Sequence, residues 1–142
     1  LYARNLGYCS SIICASADYL EKNGCPTNLS DLKEHNCLSY TYFGKSVWRF
    51  SKNGEMINLP VSGNLSTNEA AVLLRATIFG AGIAILPLFA VEREIKAGSL
   101  VPILTDYTVE RLTVSAVYLT HKKMPLAQRV LIDYLVDNLR LP

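Results

Sequence analysis

Two short segments hold the side chains best suited to contact a small molecule. They are Tyr40, Thr41, Tyr42 and Phe43, and Ser66, Thr67 and Asn68. Their hydroxyl and amide groups can donate and accept hydrogen bonds, and their aromatic rings offer apolar surface. The first segment ends a predicted strand and the second begins a predicted helix. Because ligands of open α/β sheets collect at strand ends and helix N-termini, we expect the two segments to converge on one site.

Strand geometry limits which of these side chains can face a ligand. Tyr40 and Tyr42 share one face of a regular strand, and Thr41 and Phe43 share the other. Only one of these pairs can therefore face the site. The alternative interpretation is that the tyrosines pack on the sheet and that Ser66 only caps the helix that follows it.

No catalytic pattern accompanies these segments. The sequence contains no GxSxG motif, no Gly-rich phosphate loop and no HExxH motif. Gly80-Ala81-Gly82 follows a predicted helix and precedes a predicted strand, which is the reverse of a dinucleotide-binding turn. We therefore expect no enzymatic activity, no catalytic residues and no cofactor.

The cysteines do not predict a metal site. They stand unevenly spaced at Cys9, Cys14, Cys25 and Cys37, without a CxxC pair, and only His35 and His121 could help to bind a metal. Apolar surroundings make a free thiol behave as a small hydrophobic group, and reduced cysteines are typical of a cytoplasmic protein. We expect no bound metal, and a redox role for Cys37 has no activating neighbour beyond His35.

Composition and charge indicate one folded domain that does not itself touch DNA. The 142 residues are 50% hydrophobic and 18% charged, which is enough to form a core. The basic residues are scattered, and no cluster is larger than Lys122-Lys123, so no surface for nucleic acid is predicted.

The apolar segment 68–91 is long enough to raise the question of a membrane helix. A spanning helix needs about 20 mainly apolar residues in succession. Arg75, Gly80, Gly82 and Pro87 divide this segment into a helix, a turn and a buried strand of ordinary length. We therefore expect no contact with a membrane.

Periodicity and turn residues predict an α/β fold with a mostly parallel sheet, flanking helices and one inserted β-hairpin. The hairpin turns at Asn53-Gly54, with Trp48 and Phe50 packing inward. The predicted strands are 8–15, 37–43, 82–86, 99–104 and 111–119, and the predicted helices are 16–24, 28–35, 66–80, 88–98 and 125–139.

Capping residues mark the ends of the predicted helices. Ser16 begins one helix and Gly24 ends it, and Asn28 with Asp31 begins the next. Ser66 and Glu69 form a capping box, so a helix is expected to start within two residues of Thr67. Its apolar face comprises Val72, Leu73, Ala76 and Phe79, and that of the last helix comprises Val130, Leu131, Tyr134 and Leu135.

The order of these motifs resembles the effector-binding region of LysR-type transcriptional regulators. The motifs are "ASADYLEKNGCPTNLSDLKEHNCLSY", a Trp-x-Phe hairpin, "VSGNLSTNEA", "FGAGIAILP", "IKAGSLVPIL" and "AVYLTHKKMPLAQRVLIDYL". The resemblance runs from about Ala3 to Leu139. It implies a fold like that of type 2 periplasmic binding proteins, with two α/β subdomains joined by two crossover strands.

The resemblance also implies that residues 1–142 are a partial effector-binding domain. Residues of about 13–114 would be its second subdomain, and about 1–12 and 115–142 would be crossover strands and a remnant of the first subdomain. The chain has no initiator methionine, and we expect it to be a fragment. The winged helix-turn-helix and most of the first subdomain would then lie outside it.

The resemblance further implies that the effector contacts of the second subdomain fall on the two polar segments, Tyr40, Thr41, Tyr42 and Phe43, and Ser66, Thr67 and Asn68. The implied function is a cytoplasmic sensor that binds a small-molecule effector, either a carboxylate or an aromatic acid, and forms a homodimer or homotetramer. Contact with DNA would come only through the missing N-terminal domain. Two alternatives share the scaffold: a periplasmic solute-binding protein of a transport system and, less favoured, an enzyme.

Overall fold

The structure is a computed structural model that describes residues 1–40, 46–119 and 122–142. The chain divides into two compact units. Unit 1 comprises Leu1–Ser10 and Arg111–Pro142, and unit 2 comprises Ser11–Glu110.

Groups of strands are separated by helices along the chain, and a 3-10 helix covers Leu29–Glu34. The strands are β1 Tyr2–Cys9, β2 Ser11–Ser16, β3 Cys37–Tyr40, β4 Val47–Lys52, β5 Glu55–Pro60, β6 Ser66–Thr67, β7 Ile83–Pro87, β8 Leu100–Pro102, β9 Thr108–Val109 and β10 Leu112–Tyr118. The α-helices are α1 Ala17–Asn23, α2 Ala70–Ile78, α3 Leu88–Ala97 and α4 Leu126–Asn138.

A five-stranded sheet in the order β6-β3-β7-β2-β8 forms the centre of unit 2. β3 is parallel to β6 and to β7, whereas β2 is antiparallel to both of its neighbours. Strands β3, β6, β7 and β8 therefore run in one direction and β2 runs against them. The predicted α/β class is confirmed, and β2 is the exception to a parallel sheet.

Consecutive residues of the inner strands enter two different cores. Ile13, Cys37 and Ile83 belong to a cluster with Trp48 and Phe50. The next residue along each of these strands belongs to a second cluster, together with residues of α2 and α3. These next residues are Cys14, Leu38 and Ala84. This division follows from the alternation of side chains along a strand, and it explains why the strands are apolar on both faces.

The predicted hairpin is confirmed. β4 and β5 pair antiparallel around Asn53 (φ 52°) and Gly54 (φ 80°), both in the left-handed region that a two-residue type I′ turn requires. Trp48 and Phe50 are buried, and their rings meet edge to face with centroids 6.4 Å apart. Strand β9, which pairs with β4, was not predicted because two residues cannot show an alternating pattern.

One predicted strand is in fact two. The apolar run 8–15 divides at Ser10 between β1 of unit 1 and β2 of unit 2. β1 pairs with β10 over its whole length, whereas β2 pairs with β7 and β8. Apolar residues flank Ser10 and Ser11 on both sides, with Cys9 before them and Ile12 after them, so periodicity alone could not locate the break.

The predicted start of α2 is wrong. Ser66 and Thr67 form β6, and the helix begins at Ala70 with Glu69 as its N-cap, one residue beyond the expected limit. Ser66 cannot act as the cap because it lies in a strand paired with β3. Instead, the Glu69 amide donates to Thr67 Oγ1 at 3.1 Å.

The predicted apolar face of α2 is also partly wrong. Leu73 and Thr77 are the buried residues of this helix. Val72 and Phe79 are exposed, with 83% of Phe79 accessible. A helix of this length buries a narrow i, i+4 stripe against the sheet, and the sequence alone did not show where that stripe is centred.

The other helix ends follow the sequence closely. Ser16 Oγ accepts the Tyr19 amide at 3.0 Å, and Gly24 ends α1. Gly98 ends α3 in the left-handed conformation. The predicted helix 28–35 is a 3-10 helix, and the Asp31 carboxylate accepts the Thr27 and Asn28 amides.

Unit 1 consists of the antiparallel pair β1–β10 and helix α4. Arg4 forms an ion pair with Asp133 of α4 at 2.5 Å. Ile132 is buried, whereas Val130, Leu131 and Tyr134 are exposed. Within the described residues, no helix has both the length and the apolar character needed to cross a membrane.

We predict that Trp48→Ala lowers the free energy of unfolding by about 3–5 kcal/mol, because it removes a large buried ring from the first core. Denaturant titration of the purified protein measures this change. Arg49→Ala is the matched control. Arg49 is the next residue of β4, and its ion pair with Glu110 is exposed, so about 1 kcal/mol or less is expected. Equal losses in the two variants would contradict the assignment of Trp48 to the core.

Candidate functional site

Parallel pairing brings part of the two predicted site segments together. Ser39 lies opposite Ser66, and Tyr40 lies opposite Thr67, across the β3–β6 pair. Adjacent strands are about 4.8 Å apart. Tyr40 and Ser66 are exposed, Thr67 is half-buried, and Asn68 follows in an exposed bend. Tyr40, Ser66, Thr67 and Asn68 therefore gather at the carboxyl ends of two neighbouring strands, which we call the β3–β6 rim.

Three of the predicted site residues cannot be located at this rim. Thr41, Tyr42 and Phe43 lie outside the described residues. The prediction that one of the pairs Tyr40/Tyr42 and Thr41/Phe43 faces a ligand stays a prediction, as does the binding role of every residue of the rim.

The backbone of β6 leaves hydrogen-bonding groups at this rim. The Ser39 amide donates to Leu65 O at 3.1 Å, so the main chains of Leu65 and Thr67 face β3. Because strand residues alternate in direction, the N–H and C=O of Ser66 point away from β3.

The N-terminus of α2 adds further donors. The first amide bonded within the helix is that of Leu73, which donates to Glu69 O at 3.1 Å. The amides of Ala70, Ala71 and Val72 precede that bond, and all three residues are exposed. The helix N-terminus is thus available to an anion, although the helix begins three residues later than a cap at Ser66 would place it.

Asn36 fixes the segments beside the rim, and it was not recognised from the sequence. Its Nδ2 donates to Asn64 Oδ1 and to Ala81 O, both at 2.7 Å, and its Oδ1 accepts the Asn64 amide at 2.8 Å. Its backbone amide donates to the Tyr19 hydroxyl, and its carbonyl accepts the Ile83 amide. One residue therefore connects α1, the loop before β6 and the turn before β7. No local pattern distinguishes it from an ordinary helix-ending asparagine.

Two glycines allow the backbone to pass close to this residue. A Cβ on Gly63 would lie 2.1 Å from Cys37 O, and a Cβ on Gly82 would lie 2.2 Å from Asn36 O. Neither distance is compatible with a side chain, so both positions need glycine for space. The sequence indicated Gly82 only as a turn residue.

Burial disfavours the reactive thiolate form of three cysteines, Cys9, Cys14 and Cys37. Burial raises the pKa of Cys14 to about 12 and that of Cys37 to about 11, from an ordinary value of 9.0. Burial also raises the pKa of the Cys9 thiol, whereas Cys25 is exposed. Across residues 1–40, 46–119 and 122–142, no group of three or more His, Cys, Asp or Glu side chains could hold a metal ion.

The sheet topology, with the carboxyl ends of two parallel strands at the rim, is that of the periplasmic-binding-protein-like fold class. A sequence model of the LysR substrate binding domain matches residues 1–140. The chain therefore belongs to the LysR substrate-binding-domain family.

Known relatives agree with this membership. The chain is 33% identical over 138 residues to the HTH-type transcriptional activator AaeR of Escherichia coli K12, covering 96% of this chain and 45% of AaeR. It is similar in structure to the regulatory domain of CrgA, a LysR-type transcriptional regulator from Neisseria meningitidis (TM-score 0.80, 29% identity, 98% of this chain and 69% of that one). It is also similar to the full-length Vibrio cholerae virulence activator AphB (TM-score 0.81, 25% identity, 96% and 47%).

The chain spans about half the length of the curated relatives that it matches. These relatives are transcriptional regulators, and they do not favour the alternative of a transport protein.

We predict that Gly63→Ala lowers the free energy of unfolding by about 1–3 kcal/mol, because the added methyl group must displace the Cys37 carbonyl. Thermal melting of the variant beside the parent protein measures the loss. Ser62→Ala changes the exposed neighbouring residue and should leave the melting temperature almost unchanged. If both variants melted like the parent, the close approach at Gly63 would be wrong.

We also predict that iodoacetamide at pH 8 modifies Cys25 in the folded protein and leaves Cys9, Cys14 and Cys37 unmodified. The reagent needs an accessible thiolate, and burial both hides these three thiols and raises their pKa. Peptide mass spectrometry measures the modification, and guanidinium-unfolded protein, in which all four should react, is the control. Modification of folded Cys37 as fast as Cys25 would contradict the prediction.

Proposed function

We propose that this chain is the effector-sensing part of a LysR-type transcriptional regulator. A small molecule would bind at the β3–β6 rim, and its binding energy would favour one arrangement of the surrounding domain over another. Attached DNA-binding domains would then be repositioned. The observation that carries the proposal is the parallel pairing of β3 with β6, which gathers Tyr40, Ser66, Thr67 and Asn68 at one sheet end of a family ligand-binding fold.

The chemistry of the rim supports a carboxylate or aromatic acid as the effector. The amides at the start of α2, the outward amide of Ser66 and the side-chain amide of Asn68 can donate to a carboxylate. The ring of Tyr40 lies one strand away and offers apolar surface to an aromatic body. Thr41, Tyr42 and Phe43 directly follow Tyr40 in the chain and are proposed as further contacts.

The two units correspond to different parts of the proposed sensor. We assign about residues 13–114, which form most of unit 2, to the second effector-binding subdomain. About residues 1–12 and 115–142 would be the crossover segments and part of the first subdomain. The rest of the first subdomain would supply the opposite wall of the effector site.

The same proposal covers the partners of the intact protein. It would be a cytoplasmic homodimer or homotetramer that contacts DNA through a helix-turn-helix domain outside this chain. The exposed apolar side chains of α4, among them Val130, Leu131 and Tyr134, would be covered by that missing part of the protein or by a second subunit. The role is sensing and not catalysis, and it needs neither a cofactor nor a metal ion.

We predict that Asn68→Ala weakens effector binding to the intact protein by about 1–3 kcal/mol, because a buried hydrogen bond to the ligand is lost. A panel of aromatic carboxylates beginning with benzoate would identify the tightest binder by thermal shift. Calorimetric titration of that compound then compares the variant with the parent. The melting temperature without ligand should be nearly unchanged, since Asn68 is exposed.

Asn58→Ala is the matched control for this experiment. It removes the same side chain from an exposed position of β5 in the hairpin and should leave effector affinity unchanged. If Asn68→Ala bound the ligand like the parent while Trp48→Ala kept its stability and lost binding, the assignments of Asn68 to the site and of Trp48 to the core would both be wrong.

A further inference from the structure

The β2–β8 edge of the same sheet contains a cavity that the proposed effector site does not use. The cavity has a volume of about 210 Å³ and lies within unit 2. Its lining includes the buried side chains of Ile13, Ile103 and Val109, together with Leu104, Tyr107 and Ser11. It shares no residue with the β3–β6 rim, and β7 separates β2 from β3 in the sheet.

The end of β8 exposes the edge of β2 to this cavity. The Ile103 amide donates to Ile13 O at 3.0 Å, so the main chain of Ile13 faces β8. By alternation, the N–H and C=O of Ser11 face the same side. β8 pairs with β2 only as far as Pro102, and no described residue beyond Ile103 forms a backbone hydrogen bond to Ser11. The N–H of Ser11 therefore offers a hydrogen-bond donor on one wall of the cavity, and the C=O of the same residue offers an acceptor beside it.

A backbone turn forms the opposite wall. Leu104 has φ 51°, a left-handed conformation that is unusual for a bulky residue. This conformation turns the chain away from β2 directly after Ile103, and the turn closes with a hydrogen bond from the Tyr107 amide to Leu104 O. The space between the turn and β2 is the cavity.

Tyr107 is held in place by its own contacts. Its ring meets that of Phe50 edge to face, with centroids 6.3 Å apart. Lys52 Nζ lies 4.6 Å from the centroid of the same ring. The aromatic wall is therefore fixed before any ligand arrives, which lowers the entropic cost of binding.

We propose that this cavity is a second small-molecule site, specific for a small apolar body that bears one carboxamide group. The carboxamide of the ligand would form hydrogen bonds with the N–H and C=O of Ser11. It would take the place that a longer β8 would occupy. The apolar body would rest on Ile103 and Val109 beside Tyr107. A cavity of about 150 Å³ is enough to hold benzene, so a single aromatic ring with an amide fits the available space.

The position of the cavity gives such a ligand a means of acting on the protein. Ser11 is the first residue of unit 2, and Val109 is the residue before its last. A bound molecule would therefore touch the chain beside both points at which it passes between the units. The binding site itself does not rest on the proposed regulatory function.

The test uses benzamide as the probe and the intact protein labelled at isoleucine and valine methyl groups. We expect saturable shifts of the Ile103 and Val109 methyl resonances, with toluene, which has no amide, binding at least threefold more weakly. Ser11→Pro removes the donor N–H at the first position of a strand, where proline is tolerated. It should weaken benzamide binding at least tenfold, whereas Ser11→Ala, which keeps the backbone amide, should bind like the parent.

A filling variant provides an independent measurement. Val109→Phe places a ring in the cavity, and it should abolish the shifts of Ile103 without lowering the melting temperature. The proposal is overturned if benzamide causes no saturable shift at Ile103 and Val109. It is equally overturned if benzamide binds Ser11→Pro as tightly as Ser11→Ala. Failure of benzoate to bind at the β3–β6 rim would leave these results unchanged, so the two proposals fail separately.

Discussion

The arrangement of unit 2 depends on the hydrogen bonds of Asn36. Its side chain holds Asn64 and Ala81, and its backbone holds Tyr19 and Ile83. These partners belong to three segments that are distant in sequence, so a single residue sets where β3, β6 and β7 begin relative to one another. Gly63 and Gly82 make this possible because any side chain there would strike a backbone carbonyl. These hydrogen bonds and close backbone contacts set the register of Ser39 with Ser66. They therefore also determine which residues form the β3–β6 rim.

Much of the fold could be predicted because its local signals are strong. Asn53-Gly54 strongly favours a tight hairpin turn. Ser16 begins α1, Gly24 ends α1 and Gly98 ends α3, all by local preferences that need no tertiary contact. The errors occur where a long-range contact overrides a local preference. Ser66 and Glu69 have the spacing of a capping box, but pairing with β3 draws Ser66 into a strand. Ser10 interrupts an apolar run whose two halves have different partner strands, and only the pairing shows this.

The candidate site could be predicted in outline but not in detail. Tyr40 and Thr67 were expected to converge, and the β3–β6 register places them opposite each other. The register by itself assigns no binding role to either residue, because a polar side chain at a strand end is as well suited to contact with water as to contact with a ligand. Asn36 was missed for a related reason. Its importance lies entirely in contacts to residues 17 to 47 positions away, which leave no periodic or local trace in the sequence.

Both proposed sites lie at the same end of the sheet, where strand pairing stops. Thr67 and Tyr40 are at the carboxyl ends of β6 and β3, and Ser11 is opposite Pro87 at the carboxyl end of β7. At one edge β6 is only two residues long, and at the other edge β8 ends before it reaches Ser11. Each short edge strand leaves backbone donors and acceptors without a strand partner, and water or a ligand must satisfy them. The lengths of β6 and β8 therefore determine which backbone groups are left for a ligand at the two edges of the sheet.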